Sequence, residues 1–356
     1  MSLNIKWSTL LAVAVGAVLV GGLAGTVVGA EAVILIQASR ASASATNLSA
    51  VVDINTTVET GSGSGLAAGT GLVLNSRGEI LTNNHVIAGA TQIAVNLTGE
   101  NKSYSALVVG VDPRIDIAVL QVQGVNGWPS AIFADSTHLS AGEKVSAIGN
   151  ALGLGGSPRV SVGNITALGQ SITAGGIFAG TEDLSNMIEF DATVSPGESG
   201  GPLVDGNGKV VGIITAAAGS ANNLPSTPAY AIPANTALGI VKQIESGKSS
   251  ADIILGQVGY IGVVASDLDA ASAASLGLSV SKGALVISVN EGSPAQKAGI
   301  GPGSVIVAVA GKAVGTRIEL GTAIHAYKPG ANVSVTWVDK QGTHNASLTL
   351  MSGPAI

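Results

Sequence analysis

The chain has 356 residues, a net charge of −6 and only 11 % charged residues, against about 25 % in a typical globular chain. No basic run is present that would track a phosphate backbone, which argues against a nucleic-acid partner. Cysteine is absent, which excludes disulfides, thiolate metal sites and a cysteine nucleophile; with 50 glycines and 3 % aromatics, the core has to come from Val, Ile, Leu and Ala between many tight turns.

The N-terminus carries the first strong signal. Leu10 to Ala30 is uncharged and almost wholly apolar or glycine, and the apolar character continues to Ile36 past Glu31. About 20 such residues span the hydrocarbon layer as a helix. Residues 9–36 are therefore expected to form a transmembrane signal-anchor behind a short cytoplasmic tail, residues 1–8, with the remaining chain extracytoplasmic. A cleaved signal peptide ending at Val28-Gly29-Ala30 is the alternative. Gly21, Gly25 and Gly29 form a stripe that suits close helix approach, or reflect only the abundance of glycine. Residues 37–57 read as a flexible tether, Ala-, Ser- and Thr-rich at Ala38 to Asn47.

From residue 58 to 245, short β-branched runs alternate with Gly, Asn, Asp and Pro. Gly71-Leu72-Val73-Leu74, the turn Asn75-Ser76-Arg77-Gly78 and Glu79-Ile80-Leu81-Thr82 form a hairpin signal. Similar runs recur at Ile117 to Val122, Lys144 to Ile148, Val160 to Leu168 and Lys209 to Thr215. Many short strands at even spacing predict an all-β barrel or sandwich. Residues 246–256 read as a linker. A second unit, 257–353, has strands near Ala284 to Val289, Ser304 to Val309 and Asn332 to Val338, with a helix near Arg317 to Tyr327.

Three residues in the first unit form a chemical set. Gly197-Glu198-Ser199-Gly200-Gly201-Pro202 puts a serine in a glycine-rich turn, where backbone N–H groups can converge on a developing oxyanion. Thr82-Asn83-Asn84-His85-Val86 puts a histidine just after a strand, as a base. Asp116 heads the buried-looking strand Ile117-Ala118-Val119-Leu120, where a carboxylate can orient the histidine. Each is unremarkable alone, and His138, His325 and His344 read as structural or surface residues. Together, in the order His, Asp, Ser, they specify a nucleophilic serine hydrolase. The Gly-rich runs Gly61 to Gly65 and Gly149 to Gly153 lack a phosphate-loop ending and read as turns. No metal-ligand spacing and no cofactor motif is present.

Several words together resemble the HtrA family of proteases. They are Thr82 to Val86, Asp112-Pro113-Arg114-Ile115-Asp116-Ile117-Ala118-Val119, Ala147-Ile148-Gly149-Asn150, Asp191 to Leu203 and Tyr230-Ala231-Ile232-Pro233. The resemblance implies a mainly β chain: a trypsin-like double β-barrel followed by a PDZ domain. It implies Ser199 as nucleophile, His85 as general base, Asp116 as its orienter, and an oxyanion hole from the N–H groups of Gly197 and Ser199. Glu198 departs from the Asn usual in the family; its carboxylate either pairs with a nearby cation or weakens the oxyanion hole. The specificity pocket is expected from Thr193, Ile214, Thr215 and Ala216, small and uncharged, so that cuts follow Val, Ala, Ile or Leu. In the second unit, Tyr260-Ile261-Gly262-Val263 resembles the loop that captures a C-terminal carboxylate, with Leu320 and Ile324 lining the side-chain pocket or serving only as core. Expected partners are unfolded or regulatory proteins, C-terminal peptides, the membrane and, by the resemblance, copies of itself in a homotrimer. A membrane-tethered PDZ adaptor or chaperone with weakened catalysis is the alternative.

Overall fold

The computed structural model describes residues 47–60, 63–100, 102–150, 156–176, 180–217, 227–250 and 252–356. The expected tail and anchor, residues 1–36, lie outside them, with Gly21, Gly25 and Gly29. Among the described residues no helix is long and apolar enough to cross a membrane.

Six strands make the first barrel: β1 (Val51–Thr60), β2 (Gly63–Asn75), β3 (Glu79–Thr82), β4 (Ala90–Leu97), β5 (Tyr104–Asp112) and β6 (Ile117–Val122). They are ordered β5-β4-β1-β2-β3-β6, and β5 pairs with β6 to close the ring. The expected tether therefore ends early, because residues 51–57 are barrel strand. Asp53 and Thr56 are buried in it at 4 % and 2 % exposure, so polarity there does not mean solvent. One helical turn, α1 (Asn84–Ile87), follows β3.

The second barrel closes in the order β10-β11-β12-β9-β8-β7. Its strands are β7 (Lys144–Gly149), β8 (Arg159–Gly176), β9 (Gly180–Phe190), β10 (Pro202–Asp205), β11 (Val210–Ala217) and β12 (Ala229–Pro233). Helix α2 (Ala234–Glu245) comes next; its buried residues Ala234, Ala237, Val241 and Ile244 recur at the spacing of one helix face.

Strand β6 explains how the barrels are joined. Ala118, Leu120 and Val122 point into the first barrel's core. Ile117 and Val119 pack on the other side, in a cluster with Ala237, Val241 and Ile244 of α2 and with Ile148, Val204 and Ile213 of the second barrel. A strand covered on both faces reads as an unbroken apolar run, which is how Ile117 to Leu120 reads. Each fully buried Leu or Ile is worth about 1.5–3 kcal/mol, so this shared cluster holds the two barrels together.

The expected linker is partly structured: β13 (Ile254–Leu255) pairs with β5 of the first barrel. The second unit holds β14 (Gly259–Tyr260), β15 (Val263–Asp267), α3 (Ala270–Leu276), β16 (Ala284–Val289) and α4 (Pro294–Lys297). It continues with β17 (Val305–Val309), β18 (Lys312–Ala313), α5 (Arg317–His325), β19 (Asn332–Asp339), β20 (Gly342–Thr349) and β21 (Met351–Ser352). Strand β15 stands at the edge of the sheet β15-β16-β17-β19-β20.

Candidate active site

Asp116 is set by a local turn. The Asp112 carboxylate accepts the N–H groups of Arg114 and Ile115 at 3.1 and 3.2 Å, and Asp116 then takes a left-handed φ of 57°. Aspartate tolerates this region better than most side chains. The turn puts the Asp116 side chain, 1 % exposed, beneath α1. Its Oδ1 accepts the backbone N–H of His85 at 2.9 Å, and Oδ2 lies 2.8 Å from His85 Nδ1. Asn83 Nδ2 donates to the Asp116 carbonyl at 2.9 Å. One carboxylate thus fixes both the backbone and the ring of His85.

Ser199 arrives from the second barrel. Gly200, at φ 87°, lies where a Cβ would come within 2.0 Å of the Thr70 carbonyl oxygen, so only glycine allows this approach of the two barrels. The N–H of Glu198 donates to the Ser195 carbonyl at 3.1 Å, closing a turn with Pro196 second and Gly197 third at φ 94°. This is the residue pattern of a type II turn. The N–H groups of Gly197 and Ser199 have no acceptor among the described residues, which leaves both available to an oxyanion. The Ser199 hydroxyl donates to the Thr215 carbonyl at 3.2 Å.

Thr215 therefore does more than the expected pocket lining. Its hydroxyl donates to Asp116 Oδ2 while its carbonyl accepts Ser199 Oγ, which ties two members of the set through one residue of β11. Of the other expected pocket residues, Ile214 is fully buried in the second barrel's core, Thr193 is half-buried, and the backbone of Ala216 pairs with Tyr230.

Thr70 was not among the sequence candidates. Its N–H donates to the Ser199 carbonyl at 2.8 Å and its hydroxyl to the Gly197 carbonyl at 2.7 Å, while the Asn150 N–H donates to that hydroxyl at 3.1 Å. A fully buried residue of the first barrel thus pins the serine loop of the second. Thr70→Val keeps the shape but leaves the part-buried Gly197 carbonyl and the buried Asn150 N–H short of a partner, a cost of about 1–3 kcal/mol. Where that loss is felt in the transition state, about 1.4 kcal/mol is tenfold in rate. The expected result is a lower thermal midpoint and a kcat reduced at least about tenfold, with Thr70→Ser restoring both; unchanged kinetics in the valine variant would count against the pinning role.

Asp53 lies in the same polar layer. Burial pushes its carboxyl above the ordinary range, and the neighbouring Asn150 amide offsets part of this. The folded chain then holds this proton more tightly than the unfolded chain. Its contribution to stability is full below the unfolded value and is lost as pH rises through the raised one. Asp53→Asn should raise the melting midpoint at pH values above that window and give no gain at acid pH, as followed by melts across the range. A gain of equal size at every pH would remove the titration as its cause.

In the second unit, Ile261 is buried in the core, and Leu320 and Ile324 lie four residues apart on α5 in the same cluster, at 4 % and 3 % exposure. The carbonyls of Ile261 and Gly262 are occupied by the N–H groups of Ala295 and Asn290, both at 2.9 Å. Tyr260 belongs to β14, and Val263 opens the edge strand β15. His138 sits in a short 3-10 turn, and His344 Nε2 lies 2.8 Å from Asp339 Oδ1. Among the described residues no group of His, Asp and Glu is placed to hold a metal.

Comparison with known proteins matches residues 69–213 to the trypsin-like peptidase domain and 259–350 to the PDZ domain. A probable periplasmic serine endoprotease, DegP-like, of Bartonella henselae is 39 % identical over 76 % of this chain and 50 % of its own length. A probable periplasmic serine protease, do/HhoA-like, of Haemophilus influenzae is 36 % identical over 80 % of this chain and 58 % of its own. The chain thus spans about half the length of these curated relatives. Among solved structures, an HtrA-type protease, AlgW with a tripeptide, is 30 % identical at a TM-score of 0.50, covering 88 % of this chain and 97 % of that one.

Proposed function

We infer, for a chain that belongs to the HtrA family of trypsin-like serine proteases with a PDZ domain, that it is an extracytoplasmic serine endopeptidase acting on unfolded or regulatory proteins. One observation carries the reading: a buried Asp116 holds His85 Nδ1, and Thr215 bridges Asp116 to the Ser199 hydroxyl. Ser199 Oγ attacks the scissile carbonyl and His85 takes its proton. Asp116 steadies the imidazolium, and the N–H groups of Gly197 and Ser199 receive the oxyanion. The proton later passes from His85 to the leaving amine.

The specificity pocket carries no acidic side chain at Thr193, Ile214, Thr215 or Ala216. Cuts therefore follow Val, Ala, Ile or Leu, since Lys or Arg needs a carboxylate at the pocket base. The free edge of β15 beside α5 accepts the C-terminus of a peptide as an added strand, with Tyr260 to Val263 taking its carboxylate. Docking there raises activity by favouring the competent form of the serine loop. Residues 9–36 hold the chain at the membrane, and the periplasmic naming of the relatives supports an extracytoplasmic protease. Copies assemble as a homotrimer, as the family resemblance implies.

Treating the protein with a fluorophosphonate and locating the adduct tests the chemistry; Ser199 is the expected site. A cleavage map of an unfolded substrate tests the pocket. An adduct elsewhere sinks the nucleophile assignment, and cuts dominated by Lys and Arg sink the pocket assignment.

A further inference from the structure

Glu198 is next to the proposed nucleophile, yet its side chain is only 1 % exposed and both its oxygens are engaged. Oε1 accepts Arg159 Nη1 at 3.1 Å, and Oε2 accepts the backbone N–H of Ser195 at 3.0 Å. The same Nη1 donates to Ser195 Oγ at 2.6 Å. Arg159, Glu198 and Ser195 thus form a closed ring across the turn that runs from Ser195 to Glu198. On its other side the turn is braced by the end of β7: a Cβ on Gly149 would come within 2.8 Å of Glu198 Cα. The Arg159 side chain is 40 % exposed and belongs to the first residue of β8, so the cation comes from a strand of the same barrel.

Resting on the serine-protease reading above, we propose that Arg159 is a positioning residue for the oxyanion hole. The turn's third residue, Gly197, offers one of the two N–H groups that receive the oxyanion, and glycine lets its peptide plane turn with little resistance. The backbone bond from Glu198 N–H to the Ser195 carbonyl ties the ends of the turn only once. The ring ties them again through side chains and anchors both to β8. Burial pushes the Glu198 carboxyl up, while its bonds with Ser195 and Arg159 pull it back. Without the guanidinium, a charged Glu198 has no compensating cation in the ring, and it would leave the turn for water. In this arrangement the Glu198 charge is compensated by the Arg159 guanidinium, which weakens its opposition to the oxyanion.

The test compares full-length wild type with Arg159→Met, Glu198→Gln and the double variant. The readouts are kcat and KM on a peptide ending its acyl part in Val, the affinity for the matching trifluoromethyl ketone, and the affinity for the product peptide. The ketone adds Ser199 Oγ to its carbonyl carbon and passes the serine proton to His85, leaving an oxyanion in the hole; the product peptide makes no such bond. Loss of one oxyanion donor costs about 10²–10³ in kcat, so Arg159→Met is expected to lower kcat about 10²-fold. KM and product affinity should hold within about threefold, and the ketone should weaken by the same factor as kcat/KM. The double variant is expected to recover at least about tenfold over Arg159→Met, since it removes the uncompensated charge. Wild-type kcat in Arg159→Met, a loss confined to KM, or equal weakening of ketone and product overturns the proposal. So do single effects that simply multiply in the double variant. If Arg159→Met does not fold, the double variant decides: folded and active supports the ring, unfolded overturns it. Wild type that neither cleaves nor labels at Ser199 overturns the protease reading and this one with it, whereas a failure of the variants alone leaves the protease reading standing.

Discussion

Ser199→Ala is expected to lower kcat on an unfolded model protein by about 10⁶-fold, the scale on which loss of a serine nucleophile acts in an intact triad. The residual rate should still exceed that of water by about 10³–10⁴, because the proposed oxyanion donors, the backbone N–H groups at positions 197 and 199, are retained in the variant. The fold should be indifferent. Ser199 is half-buried, and among the described residues its hydroxyl donates to the Thr215 carbonyl, which retains its place on β11. A stability change within about 0.5 kcal/mol is expected, as for substitutions away from the core. Turnover and a thermal melt on the same preparation check both halves. Equal turnover in wild type and variant would end the serine-protease reading, whatever the melt shows.

Asp116→Asn is expected to lower kcat by about 10⁴-fold at neutral pH, with KM nearly unchanged. The reason lies in the donors that surround this carboxylate. His85 N–H, His85 Nδ1 and the Thr215 hydroxyl all approach its two oxygens. An amide presents one oxygen and one NH₂ to the same places. Placed toward His85 Nδ1, the NH₂ favours the tautomer with its proton on Nε2, where Ser199 needs a base. Placed toward the His85 N–H, it sets two donors against each other in a buried site. Either outcome removes the base in its working form. Asp116 adopts φ 57°, which asparagine also tolerates, so the backbone turn is retained. The check is kcat and KM for the variant, with Thr215→Val beside it. That variant removes one donor without changing the tautomer, so its loss should be much smaller. A Thr215→Val loss equal to that of Asp116→Asn would move the explanation from tautomer control to simple disruption of the site.

Both experiments depend on a site divided between two barrels. The first supplies His85, Asp116 and Thr70; the second supplies Ser199, Thr215 and, through the ring around Glu198, Arg159. Neither barrel by itself holds both the proposed base, His85, and the proposed nucleophile, Ser199. On the proposed reading the chemistry depends on their docking through the shared cluster of β6, α2 and the second barrel, so changes that loosen this cluster should lower activity before they unfold either barrel.

Much of this was legible in the chain. The hairpin at Asn75 to Gly78, the strands Ile117 to Val122 and Lys144 to Ile148, and the helix near Arg317 to Tyr327 carry local signals: turn residues, short apolar runs and helical spacing. His85, Asp116 and Ser199 stand in words specific enough to be found without coordinates. Residues 51–57 fall within the expected tether, whose signal is the composition of Ala38 to Asn47, yet they form barrel strand, with Val52, Ile54 and Val58 alternating along it. Leu320 and Ile324 have the spacing of one helix face, which does not distinguish a groove from a core, and both are buried.

What the sequence determined by itself was the class of structure and the chemical groups, because periodicity and turn chemistry act between residues a few positions apart. Only the tertiary structure decided how those groups are held. Thr215 and Asp116 are 99 positions apart, Thr70 and Gly197 127, and Arg159 and Glu198 39. No local pattern records such pairs. Threonine in a strand reads as a β-former, and arginine at a strand end as a solvated charge. They become part of the site only when closure of each barrel, and docking of one on the other, brings a hydroxyl or a guanidinium within hydrogen-bond reach of a group that burial has cut off from water.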